Sequence, residues 1–570
     1  MTLSQNHCTN VKRELKRFKM KPTKQQEAII DYDGNAVIIA APGSGKTFVI
    51  SQKIKSNLKL LAEHEGVIAI SYTNKASVEL KNRSLSNGEN PKCSFFGTID
   101  KFNLSEIIIP FAKHLFGIPE NEIKIFKIAD LDDEAKILLQ WFQRDLILDK
   151  VTDTEVNILK SFFLKGFILI DTIGIFANYV FTHSQACQNY LRSRYKYIYI
   201  DEYQDSGFEQ HQTFLKIKSL QIKAIAVGDL NQSIYAFSGK DAKYLDALTR
   251  DDTFRYFKLD KNHRCHSSII NYSNYLLNPK TELIPTDENY IFFKRIDGDE
   301  KNIALWIEQS IENLQNAFGI TYRNEIAILT RTTRTGEIIH KELHIPNVLS
   351  ISNELDHNLN VWSAIFSNLL LFCFNNAIKF IDAVETFKSY DDLNPNELKT
   401  LAKSKKAIEK LVCQSPLPQQ GLIQEFVSVA NIIAPNSESV ESVDLLHKVL
   451  HNDIELRSYK LANENEVNIM TLHKSKGLEF ELVIHLDLHE WILPNKKPGP
   501  NNDFNNPIYG DWKQDINLHY VGITRAKKCC FLISSTRRTN AEGVSKNGKD
   551  SEFIWHNQIQ NLRFKRKANS

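Results

Sequence analysis

The sequence predicts an α/β protein with two parallel-sheet domains, each interrupted by a mainly helical insertion. From Ala36 onward, short apolar runs alternate with helical patterns, and each run ends in small or polar residues, which is typical of a parallel sheet. This pattern stops between Asn103 and Lys196, where helical periodicity takes over. A second α/β pattern begins near Asn324 and resumes at Asn468 after a helical, loop-rich break.

The composition is that of a protein with several cores: 570 residues, 42% hydrophobic and 24% charged, with a formal net charge of +3. This charge is too small to indicate nucleic-acid binding by bulk electrostatics, so such binding must rest on local residues. The basic segment VKRELKRFKMKPTK near the start has two interpretations, a solvated helix face or a DNA contact.

Cysteine usage and hydropathy indicate a cytoplasmic protein. The eight cysteines have no CxxC spacing, so neither a zinc site nor a disulfide framework is predicted. No signal peptide is recognised. The apolar stretch VWSAIFSNLLLFCF, from Val361 to Phe374, is shorter than the roughly 20 residues of a membrane span and is predicted to be a core helix.

The stretch AVIIAAPGSGKT combines an apolar strand, a glycine-containing turn and a helix, which is the context of a P-loop. Backbone N–H groups at the helix start would wrap a triphosphate, Lys46 would bridge its β- and γ-phosphates, and the Thr47 hydroxyl would hold Mg²⁺. Ala40 replaces the first glycine of GxxxxGK[ST], and a glycine turn without nucleotide is the alternative interpretation. The predicted loop residues are Ala40, Ala41, Pro42, Gly43, Ser44, Gly45, Lys46 and Thr47.

The stretch YIYIDEYQDS runs an apolar strand directly into acidic residues. After a P-loop, Asp201 is expected to hold the same Mg²⁺, and Glu202 is expected to orient the attacking water as a base. The alternative is an exposed loop or a helix N-cap, which Asp205 and Ser206 are predicted to supply for the following helix.

With these motifs in place, the sequence resembles the UvrD/Rep/PcrA-type superfamily 1 helicases from Lys21 to Ile533. The resemblance implies two RecA-like P-loop NTPase motor domains, ATP and Mg²⁺ as cofactors, DNA as a partner, no membrane, and 3′ to 5′ polarity. It is carried by the stretches KPTKQQEAI, SYTNKAS, GTIDKF, DEYQD, VGDLNQSIYAFSG, LDKNHRC, IMTLHKSKGLEFELV and YVGITRAKK.

The resemblance divides the chain into segments. The predicted segments are 1–102 (first motor domain, N-terminal part), 103–196 (helical insertion), 197–258 (first motor domain, continued), 259–334 (second motor domain, first part), 335–465 (helical insertion) and 466–570 (second motor domain, C-terminal part).

The resemblance also assigns catalytic roles. Gln232 matches the glutamine that senses the γ-phosphate and links it to DNA. Arg264 and Arg525 match two arginines that the second motor domain points across the cleft at the γ-phosphate, where such fingers contribute on the order of 10³ to 10⁵ in rate. Hydrolysis would then require closure of the two domains.

Further matches concern the adenosine. Gln25 matches a glutamine that reads the adenine edge, Glu479 matches a ribose contact, and Gly477 would let the backbone approach the nucleotide. The family's arginine and tyrosine that sandwich adenine are replaced by Phe48 and His263, which keep two flat faces.

The DNA track is expected to be aromatic. Tyr72, Tyr235 and Phe237 match residues that stack on single-strand bases, at about 1 to 3 kcal/mol per base, with core packing as the alternative for each. Thr98, Thr471 and His473 match backbone or sugar contacts, which position a strand without reading its sequence.

Two residues depart from the family pattern. Ser238 stands where most relatives have an arginine, which indicates weaker unwinding, and Asp100 replaces the histidine of GTxHxF. The run from Gly97 to Gly117 resembles the helicase-like subunit of the Gabija anti-phage defence system. This resemblance implies an OLD/TOPRIM-type nuclease partner in a hetero-oligomer, and no nuclease motif is recognised in this chain.

Three functions remain open. The chain is an ATP-driven DNA translocase or helicase, an ATP-gated regulatory module of a partner nuclease with little unwinding, or a stand-alone repair helicase. The missing arginine at Ser238 favours the second function, whereas the full set of hydrolytic residues favours the first.

Overall fold

The structure is a computed structural model. It describes residues 21–72, 74–86, 88–121, 123–126, 152–234, 239–351, 353–358, 360–375, 378–384, 393–435, 438–540 and 543–565, with the single positions 128, 136, 137, 139 and 236. The basic segment predicted before Lys21 lies outside these residues.

Apolar runs form the strands of the first half of the chain. They are β1 (Ala36–Ala40), β2 (Gly66–Ile70), β3 (Phe95–Gly97), β4 (Lys124–Phe126), β5 (Phe167–Leu169), β6 (Tyr195–Ile200), β7 (Lys223–Gly228) and β8 (Arg255–Leu259). A six-stranded sheet has the order β3-β2-β6-β7-β1-β8, and its paired strands are parallel. The predicted parallel sheet is therefore confirmed, with β8 as an edge strand that the sequence pattern did not indicate.

Helices cover both faces of this sheet and continue into the first insertion. They are α1 (Lys24–Asp31), α2 (Lys46–Leu58), α3 (Asn74–Ser84), α4 (Ile99–Phe102), α5 (Ile109–Phe116), α6 (Asp153–Leu164), α7 (Ile173–His183), α8 (Gln185–Arg194), α9 (Phe208–Ser219) and α10 (Lys243–Thr249). A π-helical segment, Asn103–Ile108, joins α4 to α5. The predicted helix at IGIFANYVF is α7, whereas most of EAKILLQWFQRDLILDK lies outside the described residues.

A second parallel sheet follows. Its part of the chain contains β9 (Ile291–Ile296), β10 (Ile326–Thr330), β11 (Asn347–Ser350), β12 (Val467–Thr471), β13 (Phe480–His485), β14 (Lys496–Gly499), β15 (Asp503–Tyr509), β16 (Ala526–Ser535), β17 (Arg537–Thr539) and β18 (Ser545–Asn547). The sheet order is β11-β12-β10-β13-β16-β9, again with parallel pairs. The strands β14–β15 and β17–β18 form two antiparallel hairpins outside it.

The helices of this part surround the second sheet and form the second insertion. They are α11 (Ser267–Leu277), α12 (Glu300–Phe318), α13 (Thr333–Glu342), α14 (Glu354–His357), α15 (Val361–Phe374), α16 (Phe380–Val384), α17 (Pro395–Val412), α18 (Gln419–Ile433), α19 (Val440–His451), α20 (Asp453–Arg457) and α21 (Trp512–Thr524).

The insertions differ in how they are packed. Helices of the first insertion share one apolar core with the first sheet, while helices from α14 to α20 enclose a core of their own around Trp362 and Phe426. The helix α15 is largely buried in this core, as the sequence predicts. Within the described residues, no helix is long and apolar enough to cross a membrane.

Two segment boundaries differ from the predicted ones. The strand β6 begins at Tyr195 rather than after residue 196, because the side chain of Tyr195 is already buried in the core. The strand β11 pairs with β12, so the second sheet extends beyond residue 335, where the insertion was expected to begin. Local periodicity could not reveal this pairing, since the two strands are far apart in the chain.

Candidate functional site

The loop after β1 has the geometry of a phosphate-binding turn. Gly43 and Gly45 have φ of 68° and 86°, a left-handed conformation that favours glycine. A Cβ at Gly43 would also lie 2.4 Å from Asn262 Oδ1. Ala40 lies within β1, opposite Leu259. This regular strand position does not require glycine, so the departure from the P-loop pattern does not disturb the turn.

The helix α2 begins at Lys46, directly after this turn. The N–H groups of its first turn have no intrahelical acceptors and attract negative charge. Pro42 and Ser44 are buried beneath the turn, whereas Ala41 and Thr47 are half-buried. The predicted P-loop residues thus surround one helix N-terminus.

Gln26 anchors the loop from behind, a role that the sequence did not indicate. Its buried side chain donates a hydrogen bond from Nε2 to the carbonyl of Ser44 at 3.0 Å. Its Oε1 accepts from the backbone N–H of Thr23, which caps α1. The adjacent Gln25 is predicted to have a different role, reading the adenine edge, and that prediction is separate from the anchoring role of Gln26.

Lys46 and the acids at the end of β6 lie together, as predicted. Lys46 Nζ is 2.9 Å from Glu202 Oε1, and the backbone N–H of Glu202 donates to Asp201 Oδ1 at 2.9 Å. Glu202 has a φ of 56°, a left-handed conformation that is costly outside glycine and is found mainly at functional sites.

The electrostatics of this group are strongly coupled. Burial opposes the charge on Lys46, but Glu202 and the neighbouring Asp201 hold its pKa above the ordinary value. Burial and the charge of Glu202 raise the pKa of Asp201 to about 7. Burial also opposes ionisation of Glu202, yet Lys46 and Lys476 lower its pKa to about 2. One carboxylate is thus firmly ionised while its neighbour holds its proton more tightly.

A chain of hydrogen bonds leads from Glu202 to Gln232. Gln204 Nε2 donates to Glu202 Oε2 at 2.5 Å, and Gln204 Oε1 accepts from the backbone N–H of Asp229. Asp229 Oδ2 in turn accepts from Gln232 Nε2 at 2.9 Å. Gln232, the predicted phosphate sensor, is therefore connected to the predicted base through Gln204 and Asp229, neither of which was predicted.

Asp205 does not cap a helix, so that alternative interpretation is wrong for this residue. The N-cap of α9 is Gly207, and Asp205 Oδ2 lies 2.5 Å from Lys476 Nζ, across the cleft between the two sheets. Ser206 ends the 3₁₀ turn Tyr203–Asp205 and is not the cap either. At this helix start the backbone N–H of Gly207 donates to Gln210 Oε1 at 3.1 Å.

Arg264 lies beside the P-loop. The backbone N–H of His263 donates to Gly43 O at 2.9 Å, and Asn262 Oδ1 accepts from the backbone N–H of Arg264. The Arg264 guanidinium reaches Glu479 Oε2 at 3.6 Å. Arg264 thus lies between the two sheets: the preceding His263 is bonded to the P-loop, and Arg264 itself is paired with Glu479, which precedes β13 of the second sheet.

Arg525 follows α21 and is 2% exposed. Its guanidinium donates from Nε to Val521 O and from Nη1 to Leu478 O, both at 3.1 Å. Burial and the nearby charge of Arg264 lower its pKa to about 10. The structure therefore brings the two predicted arginines together, with Glu202 near enough to favour the charge on Arg525.

The residues predicted to hold adenosine lie around the mouth of the loop. Gln25 and His263 are exposed, and Gln25 Nε2 donates to Asp260 Oδ1. Phe48 is half-buried against a separate apolar core of the first sheet, which includes Ile38 and Val49. Glu479 pairs with Lys527 at 2.9 Å as well as with Arg264. The residues predicted to hold adenosine are therefore found on the segments next to the P-loop.

Gly477 precedes Glu479 in the same turn. Its φ of 82° requires glycine, and no described atom lies within 4 Å of the position of a Cβ. The backbone can therefore be approached closely here, as the sequence predicts.

A cavity of about 300 Å³ opens beside the acids. Tyr72, Thr98 and Asp100 line it from the ends of β2 and β3, and Gln210 and Lys240 also line it. The ring of Tyr72 is 37% exposed. The Thr98 hydroxyl accepts from the backbone N–H of Lys101 and caps α4, so its first role is local.

The remaining predicted DNA contacts lie in two places. Thr471 is the last residue of β12, and His473 follows this strand; Thr471 Oγ1 accepts from the backbone N–H of Lys474. Burial and the charge of Arg331 lower the pKa of His473 to about 4, so it is neutral at physiological pH. Tyr235, Phe237 and Ser238 lie outside the described residues.

The site suits a magnesium–nucleoside triphosphate. A hydroxyl and a carboxylate, from Thr47 and Asp201, are ligands that Mg²⁺ prefers, and a cation there would relieve the pKa shift of Asp201 described above. Ser44 Oγ is buried and has no hydrogen-bond partner in the described part of the chain. Such an orphaned group within a glycine turn fits a ligand that brings its own acceptors.

Two family models match the chain, an AAA domain over residues 25–238 and a UvrD-like helicase C-terminal domain over residues 366–537. The chain is 28% identical over 520 residues to the Gabija protein GajB of Bacillus cereus (strain VD045), covering 90% of this chain and 95% of that protein. It is 22% identical over 616 residues to a probable DNA helicase II homolog of Rickettsia conorii, covering 90% and 92%. It is also 22% identical over 650 residues to the ATP-dependent DNA helicase PcrA of Bacillus subtilis, covering 93% and 84%.

The matched AAA domain contains the P-loop and the acids of β6, and the matched C-terminal domain contains Lys476 and Arg525. The residues on the two sides of the cleft thus fall in two different matched domains, one for each parallel sheet. The chain therefore carries an AAA domain and a UvrD-like helicase C-terminal domain, and it is similar to ATP-dependent DNA helicases along most of its length.

Proposed function

We propose that this chain is an ATP-dependent DNA translocase or helicase that acts as the motor or DNA-sensing subunit of a two-component anti-phage defence complex with a nuclease. The observation that carries the hydrolytic part is the contact of Lys46 with Glu202, 2.9 Å long, at the mouth of a glycine turn and beside Arg264 and Arg525. Lysine, carboxylates and arginines around one helix N-terminus are the parts that phosphoryl transfer requires.

Different residues would bind the phosphates, hold Mg²⁺ and accept a proton from water. Lys46 and the N–H groups of the turn would bind the phosphates, and Thr47 and Asp201 would hold Mg²⁺, which neutralises phosphate charge when bound. As Lys46 turns to the phosphates, Glu202 Oε1 becomes free to accept a proton from water. The charge of Lys476, which also lowers the pKa of Glu202, continues to favour its ionised form.

Arg525 and Arg264 would stabilise the charge that develops on the phosphate oxygens. Arg525 is held by the turn before β13 of the second sheet, while the P-loop belongs to the first. Hydrolysis thus depends on the position of one sheet relative to the other, and this dependence is what a motor along a DNA strand needs.

The DNA part of the proposal rests on the cavity between the acids and Tyr72. An aromatic ring that is partly exposed beside a cavity can stack on a base, and stacking tolerates any sequence. Lys240 also lines the cavity and supplies a positive charge; in the sequence it is two residues after Ser238, where most relatives have an arginine. DNA in this cavity would lie directly beside Asp201 and Glu202, so occupancy could influence hydrolysis.

The test of the motor is phosphate release with MgATP, with and without single-stranded DNA. Wild type should be stimulated by DNA, and Lys46→Ala should abolish turnover. Lys55→Ala is the matched control, because Lys55 lies on the same helix and pairs with Glu89 instead. Turnover that persists in Lys46→Ala would refute the assignment.

The defence role rests on the similarity to the Gabija protein GajB and on Asp100 in the run Gly97 to Gly117. An OLD/TOPRIM-type nuclease encoded beside this chain should copurify with it and form a hetero-oligomer. DNA cleavage should require the nuclease, and this chain alone should not cut DNA. Absence of a complex, combined with processive unwinding by the isolated chain, favours a stand-alone repair helicase, which the similarity to DNA helicase II homologs supports.

A further inference from the structure

Asp205 and Lys476 form an ion pair that links the two sheets. Asp205 Oδ2 lies 2.5 Å from Lys476 Nζ, and the side chains are 0% and 11% exposed. Asp205 follows β6 in the first sheet, whereas Lys476 precedes β13 in the second. Neither residue is placed on the nucleotide in the proposed hydrolysis, although the charge of Lys476 favours the ionised form of Glu202.

Lys476 also holds the segment that carries the predicted phosphate sensor. Its ammonium donates to the carbonyl of Gln232 at 2.8 Å, and Asn517 of α21 donates to the next carbonyl, that of Ser233. One lysine of the second sheet is thus bound to the acidic turn and to the Gln232 turn of the first sheet. Movement of the second sheet must therefore displace both turns or break these bonds.

The other oxygen of Asp205 is not satisfied by the described residues. Asp205 Oδ1 is buried and has no hydrogen-bond partner among them, and Asp205 is one of the residues that line the cavity, together with Tyr72 and Thr98. Ser71 Oγ, at the same wall, is likewise buried without a partner there. Two orphaned buried groups beside one cavity indicate that a ligand with hydrogen-bonding groups enters it.

We infer that Asp205 and Lys476 are a positioning pair that couples DNA in the cavity to the arrangement of Glu202 and Gln232 across the cleft. This inference rests on the proposed function. Asp205 is connected to Glu202 by the 3₁₀ turn, in which its N–H donates to Glu202 O at 2.9 Å. A ligand at Oδ1 and a lysine at Oδ2 act on the same carboxylate, so binding at one side changes the strength of the contact at the other.

The test compares Asp205→Asn, Lys476→Met and the double variant. The measured quantities are ATP hydrolysis with and without single-stranded oligothymidylate, and the Kd for a fluorescent ATP analogue. Asp246→Asn is the matched control, since it makes the same chemical change in an exposed pair with Arg250 on α10.

Each single variant should lower the stimulation by DNA on the order of tenfold and change the Kd for the analogue by less than about threefold. DNA should stimulate the double variant at least as much as it stimulates the more impaired single variant, because the two residues act as one unit. Three results would each overturn the inference. DNA stimulation could survive in both single variants, the effects of the single variants could multiply in the double variant, or the affinity for the analogue could fall as much as the stimulation does.

A single variant leaves one buried charge unpaired and is at risk of misfolding. In that event the double variant, which leaves neither charge, provides the result: retained basal hydrolysis with lost stimulation supports the pair, and retained stimulation refutes it. Wild-type protein without DNA stimulation would refute the proposed function itself. Stimulated wild type with unaffected variants would refute only the coupling.

Discussion

Lys46 Nζ and Glu202 Oε1 are 2.9 Å apart, so the cation expected to bind phosphate is held by the carboxylate expected to orient water. Because Lys46 and Glu202 are bound to each other, ATP must compete with Glu202 for Lys46. This competition determines how a substitution at either residue will affect binding and turnover.

Glu202→Gln should separate binding from hydrolysis. The amide keeps the size of the side chain but releases Lys46, so the Kd for ATP should be equal to or lower than that of wild type. Turnover should fall by about 10²- to 10⁴-fold, the usual contribution of a general base. Equilibrium binding of a fluorescent ATP analogue and phosphate release measure the two effects, with the exposed Glu27→Gln as control. Weaker binding with normal turnover would contradict the prediction.

Arg525→Ala should lower kcat by at least about 10²-fold, the cautious side of the arginine-finger range, with a smaller change in the Kd for ATP. Its guanidinium also holds Leu478 O and Val521 O, so thermal unfolding must be measured in parallel. Arg525→Lys keeps the charge but loses the fork of donors, and it should recover part of the stability and little of the rate. An increase in KM alone would exclude the finger role.

Gly43→Ala should disrupt the P-loop. The alanine must adopt a left-handed φ, which costs about 1–2 kcal/mol, and its Cβ would meet Asn262 Oδ1 at 2.4 Å. ATP binding should weaken strongly while the unfolding temperature changes by a few degrees. Gly421→Ala is the control, because Gly421 lies in α18, its φ is not positive and a Cβ there would make an ordinary contact, 3.4 Å from Leu411. Unchanged nucleotide affinity in Gly43→Ala would show that the turn is not the binding site.

Stability should fall as the pH is lowered through the range from about 6.5 to about 4. Burial lowers the pKa of His485 and of His489 to about 4, and burial and His485 place the pKa of His519 well below its usual value. The unfolded chain therefore binds more protons than the folded chain in this window, and acid favours unfolding.

The His485–His519 pair allows this pH dependence to be tested. His519 Nδ1 lies 3.0 Å from His485 Nε2, and His519 Nε2 has no hydrogen-bond partner among the described residues. His519→Leu should reduce the loss of stability between about pH 7 and pH 5, followed by urea denaturation. The exposed His451→Gln is the control and should keep the wild-type slope. An unchanged slope in His519→Leu would assign the effect to other groups.

The local parts of the site could be predicted from the sequence because each is encoded in one short stretch. A strand, a glycine turn and a helix place Lys46, and an apolar strand that ends in carboxylates places Asp201 and Glu202. Parallel strands bring their carboxyl ends to one edge of a sheet, which is sufficient to expect Lys46 and Glu202 close together.

The connections between these parts could not be predicted. Asp205 looks like a helix cap in its own stretch, and only the fold shows that its partner is Lys476, from the other sheet. Gln204 and Asp229 are ordinary polar residues at strand ends until the hydrogen bonds of the sheet edge join them. Lys476 directly precedes Gly477 in the sequence, but nothing in that stretch indicates that Asp205 is its partner.

The segment that carries Arg264 is bonded to both sides of the cleft. The chain leaves β8, which pairs with β1, and the backbone N–H of His263 donates to Gly43 O of the P-loop. On the other side, Arg264 pairs with Glu479, and the backbone N–H of His266 donates to Lys527 O. When the cleft opens, the few residues from His263 to His266 must act as a hinge, because their two ends stay with different sheets, whereas Arg525 travels with α21.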